Sequence, residues 1–406
     1  QCVLDLKKKF GENFEGLVVS DTMDEYGHQY VNLVQKGGGM LGVALVGYTY
    51  ILEVVGIRFL RLAGTSAGAI NTALMVAIGD KEDKKSERVM QYLCKLDFFN
   101  LVDGHPNVRK LIRWFITNKR FDKKVRQWFI GIIAMLIGLT IADFFFLGFR
   151  HQPWGLIGLR ISYILTFLHL TFIGFLIVYG KRLASNVRQG RFALNPGDYL
   201  LNWVNTIMEQ NGVKTTSDLE TKAAKCPPFD MRHPETQDAR SLKGDVTFIT
   251  SEIVSQNKIE FPKMCNLFRE NKDDLHPAHF VRASMSIPFF FESMVIRDIP
   301  NDSSRIKKAW VEHFGSDDDI PKTARFVDGG MMSNFPINMF YNPYIIEPRL
   351  PSFGIDLSDS PPQKEDQDKV PLGLGGYVGR LFDTIRLHYD KDFLIKNNVY
   401  KKGIGK

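Results

Sequence analysis

Apolar residues are spread along this chain in two different ways. Over residues 30–106 and 187–406 they come in short runs of strand or helix period, separated by glycine turns. Between residues 128 and 180 they run on almost without interruption. In the first regime, Tyr30–Gln35 is a short apolar-rich strand that ends at Gly37-Gly38-Gly39, and Val43–Val55 carries a helical pattern. Ile57–Ala63 alternates as a strand and breaks at Gly64, after which Ala67–Ile78 is again helical. Asp245–Thr250, Ala324–Val327 and Ser352–Leu357 read as further strands, and Tyr377–Asn397 as a last amphipathic helix. Ser360–Asp368, rich in proline and charge, reads as a surface loop. Strand, tight glycine turn and helix, repeated, predict an α/β fold with a central, mainly parallel sheet covered by helices.

The second regime is a pair of long apolar stretches. Trp128–Phe149 holds one charge, Asp143; beyond the polar link Arg150–Pro153, Trp154–Gly180 holds only Arg160. About 20 apolar residues cross a bilayer core. Neither stretch has the polar face of a globular core helix, the alternative reading. They predict a transmembrane helical hairpin with spans at about 128–149 and 155–180. Arg109, Lys110, Arg113, Lys119, Arg120, Lys123, Lys124 and Arg126 precede it, and Lys181, Arg182, Arg188 and Arg191 follow it. The positive-inside bias puts both flanks in the cytoplasm. Val108–Arg126 mixes basic with apolar residues, which suits a helix on an anionic membrane surface or an ordinary solvated basic helix. The expected organisation is an N-terminal extension over 1–29, a discontinuous globular domain over 30–106 and 187–406, and a membrane insert over 107–186.

Composition narrows the function. With 44% hydrophobic and 24% charged residues, the chain is not of a disordered or low-complexity class. Cys2, Cys94, Cys226 and Cys265 are too few and scattered for a disulfide scaffold or a structural zinc site, and fit a reducing compartment. The net charge of +7 gathers beside the apolar spans, which favours a membrane surface over nucleic acid as partner.

Three glycine-bearing segments carry candidate chemistry. Gly64-Thr65-Ser66-Ala67-Gly68 stands directly after a strand and before a helix, the context of a G-x-S-x-G nucleophile elbow. Ser66 would then sit at a helix amino end, where N–H groups favour developing negative charge. Gly37-Gly38-Gly39-Met40-Leu41-Gly42 also joins a strand to a helix. No Gly-Lys-Ser/Thr follows it, and no acidic residue closes a second strand, since Glu53 lies in the helix; it is neither a P-loop nor a dinucleotide fingerprint. Beside a serine elbow, Gly37, Gly38, Gly39 and Gly42 read as an oxyanion hole. A conventional triad needs a histidine, yet beyond Asp328 there is only His388, in the tail helix. His169 lies in an apolar span, and His276, His279 and His313 lie in or beside polar loops. The better base is Asp328, where the strand Phe326-Val327-Asp328 runs into Gly329-Gly330.

Together these blocks resemble the patatin-like phospholipase family. Gly37-Gly38-Gly39-x-x-Gly42 is similar to its oxyanion loop, Gly64–Gly68 to its elbow, and Asp328-Gly329-Gly330, with Asn334 and Pro336 behind it, to its Asp-Gly-Gly block. Val281–Phe290 is similar to the family segment that runs into Ile-Pro, and Thr250-Ser251-Glu252 is a weaker match. The resemblance implies a three-layer α/β/α domain, a Ser66/Asp328 dyad without histidine, hydrolysis of lipid acyl esters, and no metal or cofactor. Two features depart from the family: Leu41 stands where it usually has Lys or Arg, and the hairpin between Pro106 and Asn186 is not part of its usual domain. The resulting expectation is a membrane-anchored serine lipid acyl hydrolase of phospholipase or lysophospholipase type. Its catalytic domain would be cytoplasmic, with membrane lipids as substrate and environment. The alternatives are a catalytically silent membrane scaffold, and an acyltransferase or thioesterase using the same acyl-enzyme.

Overall fold

The computed structural model describes residues 2–12, 14, 16–104, 106, 109–110, 113, 121–148, 155–189, 193–233, 242–341, 350–357, 384, 390–397 and 404–405. The chain forms two compact units, one of Gln1–Val102 with Gly197–Lys406 and one of Asp103–Pro196. The first unit opens with helix α1 (Cys2–Phe10) and strands β1 (Thr22–Met23) and β2 (Gln29–Gln35). Then come α2 (Val43–Val54), β3 (Ile57–Thr65), α3 (Ala67–Ala77) and α4 (Ser86–Lys95). The second unit holds α5 (Phe121–Gly148) and α6 (Gly155–Gln189). The first unit resumes with α7 (Asp198–Gln210), α8 (Thr216–Ala224), β4 (Asp230–Met231), β5 (Asp245–Glu252) and β6 (Asn257–Phe261). It continues through α9 (Ala278–Ser284), β7 (Met294–Ile296), α10 (Ser304–Phe314), β8 (Ala324–Asp328), β9 (Ser352–Ile355) and β10 (Ile404–Gly405).

The sheet runs β10-β9-β2-β3-β5-β8-β7. From β10 to β5 neighbouring strands are parallel. β8 and β7 then add in antiparallel fashion, and β6 pairs antiparallel with β5. The fold is mixed α/β, parallel in the middle of its sheet. Covered strands of this kind are buried on both faces. Every residue of β2 is buried, and every residue of β3 except Arg61. Arg58 and Arg61 would each bring a charge to the strand, one on either face, but Arg58 is buried. Its guanidinium donates to the carbonyls of Glu53, Ile57 and Glu82 instead of to water.

Period-two alternation sends neighbouring residues of the central strands into different cores. Leu33 and Leu62 join the main core with Leu45, Leu74, Phe248 and Phe326. Val34 and Ala63, one residue on, join a smaller core with Phe335 and Ile337, against which Phe393 and Leu394 pack. In the main core Phe261 stacks on Phe280 with ring centroids 4.6 Å apart, and Phe268 meets Phe326 edge-on at 5.1 Å. This aromatic cluster fixes β8, which ends in Asp328.

In the second unit α5 and α6 pack on each other. Among the described residues one helix segment, Leu156–Val178 of α6, is long and apolar enough to cross a membrane; the apolar run in α5, Ile130–Ala142, is shorter. Only 6% of the α6 segment is buried, so it is not a core helix of this unit. Ile130, Ile141 and Phe144 of α5 are likewise exposed. Arg160 is exposed, while the Asp143 side chain lies outside the described residues. So do most of the basic stretch 108–126, the whole of the loop 360–368, His388, and all of the expected tail helix but residues 384 and 390–397.

Candidate active site

β3 delivers Ser66 at its carboxyl end, and α3 starts at the next residue. Ser66 has φ +54° and ψ −121°, a conformation that a non-glycine residue holds only under constraint. The flanking glycines allow that constraint. A Cβ on Gly64 would lie 2.4 Å from the Gly68 carbonyl oxygen, and one on Gly68 would lie 2.2 Å from that of Gln35. Strand, turn and helix therefore close on one another at distances that only glycine permits. The Ser66 N–H donates to Ser284 Oγ at 2.8 Å, and that hydroxyl donates to the Ile249 carbonyl at 2.6 Å. The serine is 1% exposed.

Asp328 comes from the other side of β5. Thr65 lies opposite Ile249, and Asp328 opposite Thr250, so serine and carboxylate flank the same two residues of β5. Asp328 Oδ1 accepts the Gly330 N–H at 2.7 Å, and the Asp328 N–H donates to the Ser286 carbonyl at 2.8 Å. Gly329 lets the loop lie on β5, where a Cβ would sit 2.1 Å from the Ile249 oxygen.

Ser284, Met285 and Ser286 bridge the two halves. Ser284 holds the Ser66 amide, Ser286 holds the Asp328 amide, and Met285 Sδ between them accepts the Ser66 hydroxyl at 3.3 Å. A thioether is a weak acceptor. In this structure the Ser66 hydroxyl is within hydrogen-bond distance of that sulfur. A dyad therefore requires the hydroxyl to leave Met285, in keeping with catalytic hydrogen bonds that tighten only with substrate in place.

The glycines of the loop expected to form the oxyanion hole divide its labour. The Gly37 N–H donates to the Asn334 carbonyl at 3.0 Å, and Asn334 Nδ2 returns a bond to the Gly37 carbonyl at 3.2 Å. Gly37 braces the loop, at a place where a Cβ would come within 2.9 Å of Ser66 Cβ. Gly42 seats the loop on α3, where its Cβ would meet that of Ala67 at 2.5 Å. Gly38 and Gly39, the latter at φ +54°, have N–H groups with no protein acceptor among the described residues, and so does Ala67 at the start of α3. A shallow apolar cleft lined by Met40, Val43, Val46, Ile70, Leu74 and Phe98 adjoins Ala67. Among the described residues no group of three or more His, Cys, Asp or Glu side chains is gathered to hold a metal ion.

A family model for patatin-like phospholipases matches residues 33–341, which include the glycine loop, the elbow, the Ser284–Ser286 bridge and the Asp328 turn. The chain belongs to the patatin-like phospholipase family. Membership makes it a member of a family of lipid acyl hydrolases. The protein YqhO of Bacillus subtilis (strain 168), itself uncharacterized, is 24% identical over 361 residues, covering 89% of this chain and 82% of YqhO. Among solved structures VipD from Legionella pneumophila is similar, with a TM-score of 0.31 and 14% identity. That match covers 91% of this chain, which spans 59% of the length of VipD.

The sequence singled out Ser66, Asp328 and the glycines as candidates, and gave no sign of Met285 as the partner of the Ser66 hydroxyl. Asp390, which binds the turn behind the Asp328 loop, was not singled out either. Asp390 carried a signal: it stands three and four residues before Phe393 and Leu394, an acid on the apolar face of a helix.

Proposed function

We propose that this patatin-like phospholipase is a membrane-anchored serine acyl hydrolase that cleaves fatty acyl esters of lipids through Ser66 and Asp328. The observation that carries the reading is the elbow itself: a strained, buried serine at a helix start, two strands from a carboxylate on the same β5 residues. Asp328 takes the Ser66 hydroxyl proton as Oγ attacks the ester carbonyl. The N–H groups of Gly38 and Gly39, with that of Ala67, hold the oxyanion. The proton passes to the leaving alcohol, water attacks the acyl-enzyme with Asp328 again as base, and the fatty acid leaves.

Support for a lipid substrate comes from what surrounds these segments. Met40 and Leu41 lie in the glycine loop and Val43 follows it, Ile287 and Phe289 follow the Ser284–Ser286 bridge, and Met332 follows the Asp328 turn; all six are exposed. Phe289 holds φ +67°, strained for a bulky residue. Exposed apolar side chains beside each catalytic segment suit an ester presented at a lipid surface. The exposed apolar segment Leu156–Val178 supports the anchor, and the basic flanks support a cytoplasmic catalytic unit. The test is to incubate detergent-solubilised protein with a mixed lipid extract and to identify the fatty acids released. Wild-type protein should release them and Ser66→Ala should not; equal release by both would refute the reading.

A further inference from the structure

Asp390 is a buried carboxylate that the reaction proposed above does not use. Asp390 is 4% exposed and lies beyond the residues matched by the family model. It lies in the helical residues 390–396. Its Oδ1 accepts from Ser333 Oγ at 2.9 Å and its Oδ2 from the Phe335 N–H at 2.7 Å, and the Asn334 N–H adds a third bond. Two of these residues, Ser333 and Asn334, also hold the elbow, the Asp328 turn and the glycine loop. The Ser333 carbonyl accepts from Thr65 Oγ1 at 3.0 Å, next to the nucleophile. The Ser333 N–H donates to the Gly329 carbonyl at 2.9 Å, in the Asp328 turn. Asn334 exchanges two bonds with Gly37 of the oxyanion loop.

Resting on that catalytic reading, we propose that Asp390 is a positioning residue: by gathering the 333–335 turn it sets the oxyanion loop and the Asp328 loop against Ser66. A carboxylate suits the task because it accepts on both oxygens, whereas a protonated acid or an amide turns one side into a donor. Burial pushes the Asp390 pKa up to about 6, against the opposing pull of the Phe335, Ser333 and Asn334 donors and of Lys36. Other charged and titratable groups on the surrounding described elements are few. Asp356 pairs with Lys36 at 2.6 Å, Tyr341 lies against Phe393, and Asp328 precedes the turn. On the helix itself are Lys391, Asp392 and Lys396, the last two paired at 2.7 Å. Protonating Asp390 on acidification turns one of its acceptor oxygens into a donor and so changes the bonds through which the turn sets the oxyanion donors.

The test uses full-length protein in detergent with a soluble short-chain ester, comparing wild type, Asp390→Asn and Asp390→Ala between about pH 5 and 8. Asp390→Ala should lower kcat by about tenfold to a hundredfold with KM little changed, since about 1 Å of misplacement costs a factor of that order. Asp390→Asn should hold the site in its acidic state, with kcat reduced near neutrality and the part of the acid limb centred near pH 6 flattened. Hydrogen exchange gives a readout independent of turnover: in Asp390→Ala the amides of 37–39 and 329–335 should exchange faster, with the rest of the sheet unchanged. Unchanged exchange in these segments, or variants that only lower thermal stability and keep the wild-type pH profile, would overturn the proposal. Ser66→Ala protein that still turned over the ester would instead refute the catalytic reading, and the exchange experiment would still decide the role of Asp390.

Discussion

Ser66 and Met285 show how far local sequence reaches. The elbow was legible because its requirement is local: five residues, two of them glycines whose absent Cβ atoms lie against Gly68 and Gln35. The hydroxyl's partner was not, because Met285 is 219 residues away in sequence and meets Ser66 only through the β5 register. If the Met285 sulfur merely parks the Ser66 proton, Met285→Leu should keep kcat at or above wild type and cost less than about 1.5 kcal/mol of stability. A fall of about a hundredfold in kcat, measured on the same ester, would make the sulfur part of the mechanism. Asp390 makes the opposite kind of prediction. Its folded pKa of about 6 stands above the ordinary carboxylate value of 3.8, because burial penalises the anion. Its contribution to stability is thus full below about pH 3.8 and is lost as pH rises through about 6, by at most about 3 kcal/mol. The Tm difference between Asp390→Asn and wild type should therefore move in favour of the variant from pH 4 to pH 7, scanned by thermal unfolding. A constant difference would mean the group does not titrate in this range.

At the level of elements, strands and helices around the site were legible nearly to the residue, as at Ala67, where α3 starts, because glycine turns punctuate them. Two things were not. The direction of β8 depends on how the chain returns after α10, which no local pattern encodes; it enters antiparallel beside β5. The role of Glu53 was also hidden. It lies in α2, but its buried carboxylate accepts the N–H groups of Lys85 at 3.0 Å and Ser86 at 2.9 Å, where α4 begins. One carboxylate thus satisfies two donors that α4 leaves orphaned. Glu53→Ala should lower stability by about 2–4 kcal/mol through those unmet donors, read as a fall in Tm. The kcat of the protein still folded should not change. Glu53→Gln, which keeps one acceptor oxygen, should fall between the two.

For the whole molecule, the apolar boundaries predicted for the insert and the helix boundaries differ for a physical reason. α5 begins at Phe121 and passes through Asp122, Lys123, Lys124 and Arg126, and α6 continues beyond Gly180 to Gln189, because charged residues do not end a helix. Hydropathy marks the apolar part of a helix, not where the helix stops. If Leu156–Val178 anchors the protein, the full chain should stay with the membrane pellet through an alkaline carbonate wash. Release into the supernatant would remove the anchor from the account and leave the catalytic unit untouched.

The dyad is the central claim, and one measurement tests it most directly: fatty-acid release by Asp328→Asn protein whose Tm matches wild type, run beside His388→Ala. The Asn side chain keeps the acceptor for the Gly330 N–H but cannot take the proton of Ser66. The account predicts that Asp328→Asn loses release by a factor of about 10² or more, while His388→Ala keeps it. Wild-type release from Asp328→Asn together with a silent His388→Ala enzyme would contradict it.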